Sequence, residues 1–392
     1  MDKHAKRSSP LHYPVLIVFT LFFVGLFALD LITPDRAYSE MENTTLSQRP
    51  ALTQLSAKGL NSYFTAYTKY VKDQVFGRDQ WISLQSMVET TLLQKEQNGG
   101  ILLGREHMMF PRTFGLLSSE ERTLPKNTSA VESLCQRYPG KVNVLLAPAA
   151  SDIYPENVPV NAPLLDENTY LDQLSAAVQA AGGRFVDVRG TLTDHKGEYL
   201  YYRTDHHWTS LAARYAFETL SAQLDLQPVR SYTVYPVSDS FEGTLAAKTG
   251  SHAALDTIEI YVPDTDVQYA VTYADTQTTI CSLYDRAKLA EKNQYEVFFG
   301  GNHARVDIQT TADTGRTLLL LKDSYANCFV QFLTPYYDRI LMIDPRYFYD
   351  DLGALLRRER VTDALILYNY NTFVQDHALS VVLQSALFDE GE

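Results

Sequence analysis

Thr317-Leu-Leu-Leu-Leu-Lys-Asp-Ser-Tyr-Ala-Asn327 is the stretch on which the reading of this chain turns. An apolar run, Thr317–Leu321, ends in Lys-Asp-Ser and passes into a helical pattern predicted over Tyr325–Leu333. Strand, tight turn and helix in that order expose a side chain at the carboxyl end of a strand, where open α/β sheets bind ligands. Ser324 occupies the turn and is the candidate nucleophile. The amides of Ser324 and Tyr325 would sit at a helix N-terminus, whose partial positive charge suits an oxyanion.

Working outward, other apolar runs alternate with helical patterns. Strands are predicted at Val142–Ala147, Arg184–Val188, Arg339–Ile343 and Ala364–Tyr368, and helices at Glu167–Ala181, Ser210–Leu224 and Leu352–Arg358. Such alternation predicts an α/β domain, a parallel sheet with helices on both faces, over residues 99–392. The segment 229–307 departs from it: rich in Thr, Tyr, Val and Asp with period-two stretches such as Thr257-Ile-Glu-Ile-Tyr-Val262, it reads as a β-rich insertion that could cap the site.

A serine hydroxyl needs a base to attack a carbonyl at neutral pH. Tyr201-Tyr-Arg-Thr-Asp-His-His-Trp-Thr209, just before a helix capped by Thr209 or Ser210, supplies one. In an extended segment residues two apart share a side, so Asp205 can orient His207 and His207 can serve Ser324. Asn369 or Asn371, after the strand Ala364–Tyr368, is a candidate second oxyanion donor, and Asn302 in Gly300-Gly-Asn is a weaker one. Asp205-His206-His207 as a metal site is disfavoured, because adjacent histidines converge poorly on one ion and no HExxH or Cys pair supplements them. No metal or other cofactor is expected.

Before this domain, Met1-Asp-Lys-His-Ala-Lys-Arg7 precedes an apolar run from Tyr13 to Leu29. The run is long enough for a bilayer-spanning helix, and Lys3, Lys6 and Arg7 favour a cytoplasmic N-terminus with the remainder outside. Ala28-Leu-Asp30 makes a poor cleavage site, so residues 1–34 read as a retained signal-anchor and not a removed signal peptide. Residues 35–98 read as a tether followed by two helices joined at Gly77.

The three cysteines suit a large extracytoplasmic domain held by packing, with at most one disulfide. A net charge of −13 with no basic cluster beyond the N-terminal flank argues against nucleic acid.

The Asp-His-His-Trp tetrapeptide at 205–208 resembles the bacterial DHHW protein family, which is similar to the alginate O-acetylation proteins, SGNH-hydrolase-like enzymes with an Asp-x-His-Trp motif ahead of the serine. Phe76-Gly-Arg-Asp79, Ile101-Leu-Leu-Gly-Arg-Glu106, and Leu146-Ala-Pro148 with Ile153-Tyr-Pro155 look like the same family. The resemblance implies an SGNH-like α/β/α fold with Ser324 as nucleophile, His207 as base and Asp205 as its orienting acid. It implies O-acyl transfer or ester hydrolysis on an extracellular glycan, with a membrane acyl-donor protein as natural partner. The chain departs from the SGNH pattern where Lys322 stands for a glycine, where Asp and His are two residues apart instead of three, and where Asp344-Pro-Arg346 replaces the second-block glycine. Arg346 is a candidate ligand for an acyl or sugar oxygen. The rival reading, from another class, is a glycan-binding or assembly protein that keeps the fold without activity.

Overall fold

The computed structural model describes residues 13–39, 41–42, 44–51, 60–111, 116–117, 119–162, 164–224, 226 and 231–387. Lys3, Lys6 and Arg7, on which the expected orientation rests, lie outside them. The chain divides into two compact units, Met1–Leu93 and Gln94–Glu392.

In the first unit, Pro14–Ile32 is one α-helix, apolar but for Thr20 and for Asp30 in its last turn, and long enough to cross a membrane. Two further helices, Leu60–Gln74 and Arg78–Met87, meet at Gly77, whose φ of +68° makes the left-handed turn that a side chain would disfavour. The longer helix is tied to the tether by Tyr70, whose hydroxyl donates to Asp35, and by Gln74, which bonds the backbone of Arg36 and Ser47.

The second unit is built on an eight-stranded sheet. Five strands run parallel in the order Arg339–Ile343, Thr317–Lys322, Asp363–Asn369, Val142–Ala147, Arg184–Phe185. Their side chains alternate between two cores. Leu318, Leu320, Ile340, Met342, Leu365 and Leu367 enter one, with Trp208 and Phe217. Leu319, Leu321, Leu341, Ile343, Ile366 and Val144 enter the other, with residues of the helices Glu120–Arg137, Glu167–Ala180 and His377–Ser385. A sheet covered on both faces needs strands apolar at every position, which is why the run of four leucines is uninterrupted. Burying each such side chain fully is worth about 1.5–3 kcal/mol.

The 229–307 stretch enters in several pieces. Tyr269–Tyr273, Thr278–Ile280 and the following strand, Arg305–Thr310, extend the main sheet by antiparallel pairing beyond Arg339–Ile343. Tyr232–Phe241 and Asp256–Pro263 form a separate two-stranded ribbon. Cys135, Cys281 and Cys328 are all free thiols, the first and last buried.

One prediction fails locally. After Ser324 the chain forms short 3₁₀ turns, Ser324–Ala326, Val330–Phe332 and Thr334–Tyr336, where an α-helix over Tyr325–Leu333 is expected. The segment is buried on all sides, so packing sets its path, and Pro335 cannot continue a helix.

Candidate active site

The parallel strands end together, and the loops beyond their carboxyl ends carry the polar residues. Asp323, fully buried, shapes the turn after its strand. One carboxylate oxygen accepts the Tyr325 amide at 2.9 Å, and the other accepts the Asn369 amide at 2.8 Å from the neighbouring strand end. Ser324 is thereby pinned between two strands while its own side chain stays partly exposed.

From the other side comes the 201–209 loop. It is closed by the Tyr201–Trp208 bridge and by Trp208, which is wholly buried and donates its indole N–H to the Tyr325 carbonyl at 2.9 Å. This brings His207 Nε2 to 2.7 Å from Ser324 Oγ and His207 Nδ1 to 2.5 Å from Asp205 Oδ1. A carboxylate can only accept, so Nδ1 carries the proton and Nε2 is left to accept from the serine hydroxyl. Asp205 Oδ2 accepts from the amide and hydroxyl of Thr244, at 2.8 and 2.9 Å. Burial opposes the Asp205 charge, but the adjacent imidazoles and the bonds from His207 and Thr244 overcome it and hold the carboxyl well below the usual carboxylate range.

Three residues here were not singled out from sequence. Tyr295 stacks on the His207 ring at 3.9 Å and donates its hydroxyl to the Ser324 carbonyl at 3.0 Å. Thr244 completes the shell of Asp205. Gly243 packs against it so closely that an added Cβ would lie 2.3 Å from Asp205 Cβ. The only sequence signal for the last two is Gly243-Thr244 ahead of Leu245-Ala-Ala, a short helix start.

The secondary assignments need correction. The Tyr325 amide is spent on Asp323 and is not free for an oxyanion. Without an α-helix behind Ser324, no macrodipole reinforces the turn. Asn369 caps the following helix: its Oδ1 accepts from the Asn371 amide at 3.0 Å and its Nδ2 donates to the Ala147 carbonyl at 3.1 Å. Asn371 faces the buried carboxyl of Glu167. Arg346 is held by Asp344 through Nε at 2.8 Å and one terminal nitrogen at 2.6 Å, with three N–H donors not used by that carboxylate.

Asn302, the weaker candidate from sequence, is exposed, with its side-chain oxygen held by Lys322 Nζ at 3.1 Å and by Asn327 Nδ2 at 3.2 Å. The Ser324 amide has no protein acceptor among the described residues. Among those residues, one metal-type grouping occurs, Asp205-His206-His207, with ligand atoms within 4.8 Å of one another, but both His207 ring nitrogens are taken by Asp205 and Ser324.

Comparison with known proteins agrees with this architecture. The crystal structure of a DHHW family protein from Eubacterium siraeum superposes with a TM-score of 0.62 at 22% identity, covering 75% of this chain and 98% of that one. Bacillus cereus PatB1 superposes at 0.56 with 14% identity, covering 71% and 98%, and has also been solved with a sulfonyl adduct. Among curated sequences, the chain is 26% identical over 238 residues to a protein of Pseudomonas fluorescens described as "Probable alginate O-acetylase AlgJ", covering 57% of this chain and 59% of that one. The counterpart from Pseudomonas aeruginosa is 25% identical over 222 residues, 55% and 53% of the two chains. The chain therefore spans a little over half the length of the curated relatives it matches. The fold is that of the SGNH-hydrolase-like proteins, with a largely parallel sheet. The family model described as "DHHW protein" matches residues 131–343, more than half of the chain and all of the Asp205–Ser324 arrangement, and the chain belongs to that family.

Proposed function

We propose that the chain is a serine-dependent O-acyltransferase or esterase acting on O-acetyl groups of a cell-surface or secreted polysaccharide. The observation that carries this is the unbroken line Asp205–His207–Ser324, with contacts of 2.5 and 2.7 Å and a nucleophile that solvent can reach. His207 Nε2 takes the Ser324 proton as Oγ bonds to the acyl carbon. The carbonyl π pair moves onto oxygen, then returns to re-form the carbonyl as the bond to the departing alcohol or donor group breaks and His207 gives its proton to that group. An acceptor hydroxyl, from a sugar or water, then reverses these steps on the acyl-serine. For the oxyanion we assign the Ser324 amide and the Asn302 side-chain N–H group as donors, in place of Tyr325, Asn369 and Asn371.

The glycan and the acetyl group rest on the relatives described as alginate O-acetylases, and a membrane acyl-donor partner rests only on the resemblance seen in the sequence. The apolar helix Pro14–Ile32 supports an anchored protein, and the basic flank of Lys3, Lys6 and Arg7 in the sequence supports placing the second unit outside the cell. The test is hydrolysis of p-nitrophenyl acetate by the full-length chain in detergent. Ser324→Ala and His207→Ala should each reduce kcat/KM by more than about 10³-fold. Equal turnover by all three proteins, or none in a folded parent, would favour the glycan-binding or assembly reading.

A further inference from the structure

Lys322 is a buried cation beside the nucleophile that the chemistry above does not use. It ends the Ser324 strand, is 2% exposed, and takes the position where the SGNH pattern has glycine. An ammonium in such a place is expensive unless its hydrogens are satisfied. Its nearest carboxylate is Asp344, at 3.6 Å, and Arg346 already grips that carboxylate more closely. What satisfies Lys322 is a pair of amide oxygens, Asn327 Oδ1 at 2.9 Å and Asn302 Oδ1 at 3.1 Å.

This fixes more than the lysine. An amide side chain can be turned by 180° with little change in shape, so its orientation is set by what surrounds it. An ammonium has three donors and no acceptor, so an amide nitrogen facing it would meet donor with donor. Asn327 is held oxygen-inward, and its own nitrogen then donates to Asn302 Oδ1 at 3.2 Å. Two donors thus converge on the Asn302 oxygen, and its N–H hydrogens have to face away from the ammonium. Asn302 itself is exposed, on a loop that enters through Gly300 and Gly301, both at positive φ.

We infer that Lys322 is a positioning residue: its buried ammonium, with Asn327 as relay, turns the Asn302 amide so that the N–H side faces the oxyanion formed at Ser324. This rests on the acyl-enzyme reading and on Asn302 as oxyanion donor. Without the charge Asn327 no longer has to hold its oxygen inward, the exposed Asn302 amide is released from its fixed orientation, and the oxyanion donor is lost. The loss falls on the transition state, so kcat drops while KM holds.

The experiment uses the full-length chain in detergent with p-nitrophenyl acetate, and compares the parent with Lys322→Met, Asn302→Ala, the double variant and Ser324→Ala. Lys322→Met and Asn302→Ala should each lower kcat on the order of 10²-fold, with KM within about threefold of the parent. The double variant should fall no more than about threefold below the weaker single, because the second change removes a donor already lost. Asn302→Asp guards against failure of Lys322→Met to fold. It keeps an oxygen for Lys322 and should melt at or above the parent, yet it has no N–H and should be as slow as Asn302→Ala. Parent-level kcat in Lys322→Met or Asn302→Asp, or losses that multiply in the double variant, overturn the inference. Intact-mass detection of phenylmethylsulfonyl labelling separates the two levels. Labelling of the parent but not of Ser324→Ala keeps the nucleophile assignment whatever Lys322→Met does, whereas undiminished turnover by Ser324→Ala overturns the acyl-enzyme reading and this inference with it.

Discussion

Two buried carboxyl groups lie at the same edge of the sheet and differ in what surrounds them. Asp205, 2% exposed, accepts from the amides of His207 and Thr244, the Thr244 hydroxyl and an imidazole. Glu167, 5% exposed, accepts from the Ala149 amide at 3.1 Å and from the Asn371 side chain, and among the described residues no cation pairs with it. Burial raises both, but at Glu167 little opposes it and the carboxyl is pushed up to about 8, while at Asp205 the imidazoles and hydrogen bonds win. Near-equal burial therefore leaves Asp205 ionised and Glu167 neutral at neutral pH. What makes Asp205 able to orient a histidine is the set of donors gathered around it from its own loop and from Thr244, not depth in the protein.

The strongest way to break this contrast is Asp205→Asn. The amide keeps the shape but can present N–H to His207 Nδ1, which favours the tautomer with Nε2 protonated and unable to accept from Ser324. Ester hydrolysis should fall on the order of 10³–10⁴-fold. Stability should respond as well, with a sign fixed by the depressed native value. The Asp205 contribution is fully present above the unfolded carboxyl range and is lost as pH falls through the native one. The melting temperatures of parent and Asp205→Asn should hence differ most at neutral pH and converge in strong acid. A variant equally stable at pH 7 would show that the donors around Asp205 do not favour its charge.

Gly243→Ala attacks the same site without removing a polar atom. The backbone at Gly243 is extended and any residue could adopt it, so space is the issue: the added methyl would lie 2.5 Å from Asp205 Oδ2 and 2.8 Å from its Cα. Something must move, and the carboxylate is what the methyl meets. A displacement of about 1 Å at a catalytic group costs on the order of 10²-fold, so kcat should fall by about that factor with KM little changed. Parent-level kcat would mean that the 243–244 turn yields instead and that Asp205 needs less support than its contacts imply.

These residues also mark where the sequence stops being readable. The strands could be placed because a sheet buried on both faces demands apolar runs, and the runs at 142–147 and 339–343 coincide with the observed strands. Asp205, His207 and Ser324 stood out because each lies in a short polar motif at a predicted element boundary. Gly243, Thr244 and Tyr295 reach the site only through the folding of distant segments, and a glycine chosen for space looks the same in sequence as one chosen for a turn. The oxyanion donors were misassigned for a related reason. Whether the Tyr325 amide is free depends on where the Asp323 side chain points, and Asn369 looked like a ligand because a capping asparagine and a catalytic one share the same place after a strand. The 325–333 segment kept apolar residues three and four apart, a spacing that successive 3₁₀ turns in a fully buried segment also meet.

Glu167→Gln probes the other half of the comparison, and its effect is on stability. With a native value near 8 against 4.5 for the unfolded chain, Glu167 stays protonated in the fold while the unfolded carboxyl ionises. The parent should lose stability as pH rises from about 4.5 to about 8, with no further loss from this group above that range. Glutamine cannot ionise, so the variant should lack this slope and melt a few degrees above the parent at pH 8, with the two closest at pH 4. Activity should stay within about threefold of the parent, since Glu167 touches neither Ser324 nor His207. A parallel pair of melting curves from pH 4 to 8 would place Glu167 ionised in the native protein and remove the contrast with Asp205.

Thr244→Val sharpens the comparison by removing one donor from Asp205 and nothing else from its shell. The Thr244 amide still donates to Oδ2, and the volume is kept, so the loss is one hydroxyl bond to a buried carboxylate. Such a bond is worth about 1.5–3 kcal/mol when the acceptor is charged, and a backbone donor left in place on the same oxygen should bring the cost to about 1 kcal/mol. If that cost falls wholly on the ability of Asp205 to hold His207, kcat falls about fivefold. The same hydroxyl also meets His206 Nδ1 at 2.9 Å, so His206→Ala combined with Thr244→Val separates the two partners. A fivefold loss that persists in the His206→Ala background assigns the effect to Asp205. A loss that vanishes there would move the role of Thr244 to His206 and leave the Asp205 charge resting on backbone and imidazole alone.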